Sequence, residues 1–262
     1  MSSDTIQFKI KDHLAIIHLN RPDVLNSFNR EMALALQETL QSCDENEDIR
    51  AIYLTGNGRA FCAGQDLEEV VSEDGPDLTT IVAEHYNPVI TQIRSIEKPV
   101  ICFVNGVAAG AGANIALACD VVFASENASF IQAFSKIGLI PDSGGTYTLP
   151  RLIGWQKASA LMMLGDKISA GEAERMGMIY KVVSASENGD VNEAVASAMK
   201  LSEMPTVGLG LTKRALNSSF TNSMGEQLMV EEKLQTLAGS TADYEEGVNA
   251  FLQKRKPEFK GR

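Results

Sequence analysis

The chain has 262 residues, 44% of them hydrophobic and 22% charged, with a formal net charge of −11. That length suits one large α/β domain, or a main domain with a smaller helical appendage, and is enough to bury a substantial core. The acidic balance argues against a nucleic-acid partner, which needs a basic face; Lys254-Arg255-Lys256 is the only dense basic patch.

In chain order, residues 6–10 and 14–19 read as a strand pair around Lys11-Asp12-His13. Residues 30–43 carry Met32, Leu34, Leu36 and Leu40 at helical spacing. A strand over 51–55 leads through Gly56-Asn57-Gly58 to the loop Phe61-Cys62-Ala63-Gly64-Gln65-Asp66 and a helix from Leu67. Residues 73–76 are acidic and turn-rich, a flexible surface loop before a helix through 79–96. The apolar run 99–104 then meets a stretch of glycine and alanine, residues 105–114, that opens a helix continuing to Cys119, and a strand follows over 120–124. Repeated strand–turn–helix units imply a parallel sheet flanked by helices, with ligands bound at the carboxyl ends of the strands. After Arg151 the chain is mostly helical. Ser169-Ala170-Gly171-Glu172 fits a capping box, 179–183 reads as a last strand, and helices over 191–204, 207–217, 224–238 and 242–254 form a C-terminal appendage.

Cys43, Cys62, Cys102 and Cys119 form no C-x-x-C pair, and Cys102 and Cys119 lie in apolar runs, so reduced, buried thiols are expected. The first five residues lack the basic and apolar regions of a signal peptide. Asn105, Asn114 and Asp120 interrupt the longest apolar region, so no membrane span is expected and a cytoplasmic protein is. His13, His18 and His85 have no zinc spacing, and no metal is expected.

The glycine-rich turn at 105–114 admits two readings. Its small residues can serve tight packing of a helix on a sheet, or they can let an oxygen carrying negative charge approach the backbone at a helix N-terminus. Gly106, Gly110 and Gly112 do not form G-x-G-x-x-G, and no phosphate-binding P-loop pattern occurs. The loop at 63–66 also follows a strand. If the two strands are neighbours, the backbone N–H groups of Gln65 and Ala111 can point at one oxygen, as in an oxyanion hole.

The combination of motifs resembles the enoyl-CoA hydratase/isomerase, or crotonase, superfamily over nearly the whole chain. The segments that carry the resemblance are Leu19-Asn20-Arg21-Pro22, Leu25-Asn26-Ser27, Phe61-Cys62-Ala63-Gly64-Gln65-Asp66, Asn105-Gly106-Val107-Ala108-Ala109-Gly110-Ala111-Gly112, Cys119-Asp120, Ile137-Gly138-Leu139-Ile140-Pro141-Asp142-Ser143-Gly144-Gly145-Thr146, Leu149-Pro150-Arg151 and Ala173-Glu174-Arg175-Met176-Gly177. The resemblance implies an α/β ββα superhelix with a C-terminal helical trimerisation region. It further implies a core over residues 1–200, an oligomerisation region over 201–262, and a homotrimer or dimer of trimers. It also implies an acyl-CoA thioester as substrate, its oxygen held by Gln65 and Ala111, with no cofactor beyond the CoA of the substrate.

Hydratases of the superfamily carry two glutamates where this chain has Asn114 and Phe134, so efficient hydration is not expected. Asp142 remains. Its Pro-Asp-Ser-Gly setting is an ordinary turn sequence, but isomerases and dehalogenases of the superfamily carry a functional aspartate at the matching position, which makes Asp142 the expected catalytic residue. Dienoyl-CoA isomerases add a second acid that is missing here, and aryl-CoA dehalogenases a nearby tryptophan; the only one, Trp155, is expected to pack in the helical region. The run Ala133-Phe134-Ser135-Lys136-Ile137-Gly138-Leu139-Ile140-Pro141-Asp142, with Tyr86-Asn87-Pro88 and Gly208-Leu209-Gly210-Leu211, resembles the isomerases acting on ring-1,2-epoxyphenylacetyl-CoA in aerobic phenylacetate degradation. That implies isomerisation to the oxepin-CoA through an enolate, with Asp142 desolvated by Phe134, Leu139 and Ile140. The alternatives are a Δ3,Δ2-enoyl-CoA or dienoyl-CoA isomerase of fatty-acid oxidation and, from another class, a non-catalytic binding protein.

The resemblance also sets Val24 and Leu25 beside the pantetheine or adenine, and Ala63, Gly64 and Asp66 along the adenine side. Tyr86 lines the substrate ring or is an ordinary core tyrosine. Asn114 bonds within the pocket or supports its turn. Lys254 meets the CoA phosphates, in its own or a neighbouring subunit, or belongs to a solvated tail.

Overall fold

In a computed structural model of the chain, residues 4–184 and 193–262 are described. Two strands, β3 (Ala51–Gly56) and β5 (Val100–Val104), are buried along their whole length. Strands apolar on both faces belong inside a parallel sheet covered on both sides. They lie at the centre of a six-stranded sheet ordered β1-β2-β3-β5-β7-β10, completed by β1 (Ile6–Lys11), β2 (Leu14–Leu19), β7 (Val121–Ser125) and β10 (Lys181–Val183). Only the β1–β2 hairpin is antiparallel.

A second sheet, ordered β4-β6-β8-β9, is built from β4 (Ala60–Cys62), β6 (Val107–Ala109), β8 (Ser129–Ile131) and β9 (Lys167–Ser169). The strands β3, β5 and β7 each continue after a turn into a short strand of this sheet, and helices follow. The chain thus spirals in ββα units, the expected α/β superhelix. Sequence periodicity missed the second sheet because three-residue strands carry too little pattern, and β6 lies inside the glycine-rich stretch read as a turn.

Among the helices are α1 (Arg30–Glu45), α2 (Leu67–Val70), α3 (Leu78–Thr80), α4 (Asn87–Ser95), α5 (Ala111–Ala118), α6 (Gly145–Ile153), α7 (Trp155–Leu164), α8 (Ala170–Met176) and α9 (Glu193–Ser202). Then come α10 (Thr206–Ser219), α11 (Met224–Gly239) and α12 (Ala242–Gln253). The capping box at Ser169 forms as expected. The first two residues of the helix expected over 191–204 lie outside the described residues. Two expectations need correction. The helix through 79–96 is interrupted by a π-helical stretch, Ile81–Tyr86, and Trp155 is 75% exposed at the start of α7.

Close packing between units depends on absent side chains. A methyl group on Gly112 of α5 would lie 2.6 Å from the Cys62 sulfur, and one on Gly56 would lie 2.5 Å from the Ala60 carbonyl oxygen. Asparagine amides, Asn26 buried and Asn105 half-buried, stitch the same region. Asn26 Nδ2 donates to the Asn57 and Ala60 carbonyls, each at 2.9 Å, and Asn105 Nδ2 donates to Gly58 at 2.9 Å. The C-terminal helices are tied to the core by Lys213 of α10, whose Nζ donates to the Ile93 carbonyl at 2.7 Å and pairs with Asp120 at 2.8 Å. Gly112→Ala is expected to force β4 and α5 apart and lower stability by about 1–3 kcal/mol in urea unfolding; an unchanged midpoint would show that the close approach is not required.

Candidate active site

Two turns meet where β4 and β6 lie side by side. Gly64, at φ +96°, takes a conformation that favours glycine, and a methyl group on it would sit 3.0 Å from the Ala109 carbonyl oxygen and 3.7 Å from the Ala111 nitrogen. The turn at 63–65 is therefore pressed against the N-terminus of α5, whose cap Gly110 also has a positive φ, +52°. Ala63 N–H donates to Leu25 O at 3.0 Å, Gly64 N–H to the Cys62 sulfur at 3.4 Å, and Asp66 N–H to Phe28 O at 2.8 Å. Gln65 N–H is left between them with no partner among the described residues, and so is Ala111 N–H. One comes from a turn and the other from the positive end of a helix, so together they can hold an oxygen that gains negative charge.

The turn is held from behind. Phe28 forms a parallel bridge with Gln65, its N–H donating to Gly64 O at 2.7 Å. Arg21 pairs with Asp66 at 2.8 Å and also donates to Ser27 O at 2.6 Å. The Asp66 carboxylate caps α2 through Glu68 N–H at 3.1 Å. Burial pushes the Cys62 thiol up to about 12, so it stays protonated and inert beneath the site.

Asp142 reaches the site through Asn114, one turn along α5 from Ala111. Asn114 is 1% exposed; its Nδ2 donates to the Asp142 carbonyl at 2.9 Å, and its Oδ1 accepts from Gln132 Nε2 at 2.8 Å. Of the two roles open for Asn114, support of the turn is the one these bonds occupy. Its amide fills the space beside Gly145, where a Cβ would collide with it. The Asp142 carboxylate accepts from Ser143 Oγ at 2.9 Å. Burial raises its pKa above 3.8, opposed by the Ser143 hydrogen bond, which makes the carboxylate a stronger base than in water. Phe134, 6% exposed, stacks its ring edge near Gly110, where a methyl would lie 3.8 Å from Cζ. The expected shielding by Ile140 and Leu139 fails, since they are 80% and 38% exposed.

Tyr86 is 1% exposed, and its hydroxyl donates to Gln65 Oε1 at 2.8 Å. Burial, then the negative charge of neighbours including Asp142, raises its pKa well above 10, so it remains a donor. Leu25 joins the site through Ala63, and Val24 stands exposed beside it. Lys254 is not brought in: it is exposed at the left-handed C-cap of α12, and among the described residues no hydrogen bond or ion pair links it to the other site residues. Arg21, Phe28, Glu69 and Gln132 support the site without having been singled out; Arg21 lies in a quoted motif, whereas Gln132 carries no local signal.

The profile of the Enoyl-CoA hydratase/isomerase family matches residues 9–262. The 1,2-epoxyphenylacetyl-CoA isomerase of Escherichia coli K12 is 50% identical over 247 residues, 93% of this chain and 94% of that protein. A Rhodobacter capsulatus protein named "Probable enoyl-CoA hydratase" is 44% identical over the full length of both. A crystal structure of enoyl-CoA hydratase from Bacillus anthracis superposes with a TM-score of 0.90 at 32% identity, covering 98% of this chain and 100% of that one.

His85, also 1% exposed, leaves both ring nitrogens without a partner among the described residues. Burial lowers its pKa below 6.5. The unfolded chain therefore takes up the proton first, and stability falls as pH drops through the unfolded value. His85→Leu is expected to raise stability by about 1 kcal/mol at neutral pH and to flatten the loss between about pH 7 and 5, with a residual slope from His18, whose pKa is also lowered. Urea unfolding at both pH values checks this, and an unaltered pH dependence would contradict it. The family profile and the Escherichia coli relative bear out the expected enzyme class, an acyl-CoA isomerase, and profile, relatives and solved structures together bear out the expected family: the chain belongs to the enoyl-CoA hydratase/isomerase family.

Proposed function

We propose that the enzyme isomerises ring-1,2-epoxyphenylacetyl-CoA to the oxepin-CoA in aerobic phenylacetate catabolism, with Asp142 as its single acid–base residue. The observation that carries this reading is the half-buried Asp142 carboxylate, whose backbone is bonded to Asn114 on the helix that begins at the Ala111 donor, with an amide at Asn114 and an aromatic ring at Phe134 in place of further carboxylates there. Addition of water is best served by two groups, one to activate the water and one to protonate carbon. A site in which Asp66 and Glu69 are tied up in bonds to Arg21, Gln65 and Arg30, leaving Asp142 to transfer protons, suits removal of a proton and its return elsewhere in the same molecule.

In this mechanism the thioester oxygen accepts from Gln65 and Ala111 N–H, which makes the adjacent carbon acidic. Asp142 removes a proton there, and the enolate forms against the two donors. Opening and expansion of the epoxide-bearing ring follow, and Asp142 returns the proton to a distal ring carbon. Every atom of the substrate is retained, and no cofactor is required beyond its CoA. The 50% identity to the Escherichia coli isomerase supports the ring-epoxide substrate. The same one-base site also serves double-bond shifts in aliphatic 3-enoyl-CoA, the second substrate class to be assayed. Val24, Leu25, Ala63, Gly64 and Asp66 flank the CoA in this reading, and Lys254 reaches its phosphates from a neighbouring subunit. Four buried, unpaired cysteines support a reducing, cytoplasmic setting.

Asp142→Asn is expected to lower turnover of the ring epoxide by about 10²–10⁴-fold with acyl-CoA binding retained. Turnover of the wild type should fall on acidification through a pH above the ordinary carboxylate value of 3.8, because the base works only when ionised and burial raises its pKa. Undiminished turnover in the variant would overturn the single-base mechanism, and preferential turnover of aliphatic 3-enoyl-CoA would reassign the substrate.

The oligomerisation region from residue 201 onward is supported by an apolar hollow of about 440 Å³ lined by Tyr244, Val248, Phe251, Leu252 and Phe259. Phe251 and Leu252 are 82% and 72% exposed in the single chain. Sedimentation is expected to give a trimer or hexamer, and Phe251→Asp is expected to shift the mass towards the monomer; a monomeric wild type would contradict this.

A further inference from the structure

The sequence Tyr86-Asn87-Pro88 breaks the helix before α4 in a defined way. Pro88 has no N–H to give the Glu84 carbonyl four residues back, and its ring crowds that carbonyl. The helix widens into the π-helical stretch Ile81–Tyr86, with Asn87 N–H donating five residues back to Val82 O. Gln37 of α1 takes the freed carbonyls, its Nε2 lying 2.7 Å from Glu84 O and 3.1 Å from His85 O. The extra residue turns both His85 and Tyr86 inward, each 1% exposed.

Tyr86 then grips the Gln65 residue twice. Its hydroxyl donates to Gln65 Oε1 at 2.8 Å, and its ring lies 5.8 Å from that of Phe28, the residue bridged to the Gln65 backbone. From the other side, Gln65 Nε2 donates to Glu69 Oε2 at 3.1 Å, while Glu69 Oε1 accepts from Arg30 N–H at 2.8 Å. The amide of Gln65 is thus fixed at both ends, and its backbone N–H is the unpaired donor facing Ala111.

We infer that Tyr86 is a positioning residue: the π-helical turn delivers its hydroxyl to the Gln65 side chain to hold the Gln65 N–H in line with the substrate's carbonyl oxygen. The peptide that carries the Gln65 N–H is held by the Phe28 bridge through Gly64 O, and the bonds to Tyr86 and Glu69 restrain the side chain attached to it. Alignment of one donor matters because oxyanion stabilisation depends on donors fixed before the charge appears. The inference rests on the reading of Gln65 and Ala111 as the donors to an acyl-CoA carbonyl.

The test uses full-length protein with phenylacetyl-CoA carrying a 13C-labelled carbonyl, which binds without an epoxide to rearrange. In the wild type, binding should lower the carbonyl stretching frequency in difference infrared spectra. Tyr86→Phe keeps the ring and removes the bond; it should lower kcat by about 10–100-fold with KM within about twofold, and reduce the carbonyl shift. Gln65→Leu removes the bond to Tyr86 and also the bond to Glu69, so it should produce changes at least as large, and adding Tyr86→Phe to it should cause no further loss, because the Tyr86 bond is already gone. A full carbonyl shift and wild-type kcat in Tyr86→Phe would overturn the positioning role, as would additive losses in the double variant. No carbonyl shift in the wild type would instead overturn the donor reading itself.

Discussion

The close approach of two backbone turns is the constraint from which the rest of the site follows. The turn at 63–65 and the start of α5 can touch only because Gly64 has no side chain at the contact and Gly112 has none against Cys62 of β4 just before the turn. Once they touch, a turn N–H and a helix N-terminal N–H stand together with no partner among the described residues. An unpaired donor in a partly buried position costs stability, and in the proposed mechanism the pair recovers that cost by holding the substrate's carbonyl oxygen. Arg21 and Phe28 hold one turn, and the ββα spiral places the other by pairing β4 with β6.

Polar side chains within this frame divide the labour between chemistry and support. Asn114 is the instructive case, since its amide links Gln132 to the Asp142 backbone and cannot act as a base. An amide there fixes the turn that carries Asp142, where a carboxylate would have placed a second acidic group beside it. Burial then raises the Asp142 pKa while Ser143 restrains the rise, leaving a carboxylate more basic than in water but still ionisable.

Much of this was legible from residue order, for reasons that can be stated. β3 and β5 announce themselves as unbroken apolar runs, and the small residues at 106–113 mark a backbone approach. Motifs such as Ala63-Gly64-Gln65-Asp66 carry the family resemblance. The second sheet was hidden because its strands are three residues long. The inward turn of Tyr86 was hidden because it depends on Pro88 and on Gln37, about fifty residues away in sequence, taking the freed carbonyls. Exposure of Trp155 and Ile140 ran against expectation because apolar character predicts burial only on average.

The central claim is that these parts make an enolising site with a single base. Exchange of the protons on the carbon beside the thioester, followed by proton NMR with phenylacetyl-CoA in D2O, measures that step without requiring ring rearrangement. The account predicts enzyme-dependent exchange by the wild type that vanishes in Asp142→Asn while the ligand still binds. Exchange that persists in the variant, or a wild type that turns over the ring epoxide yet never exchanges that carbon, would contradict it.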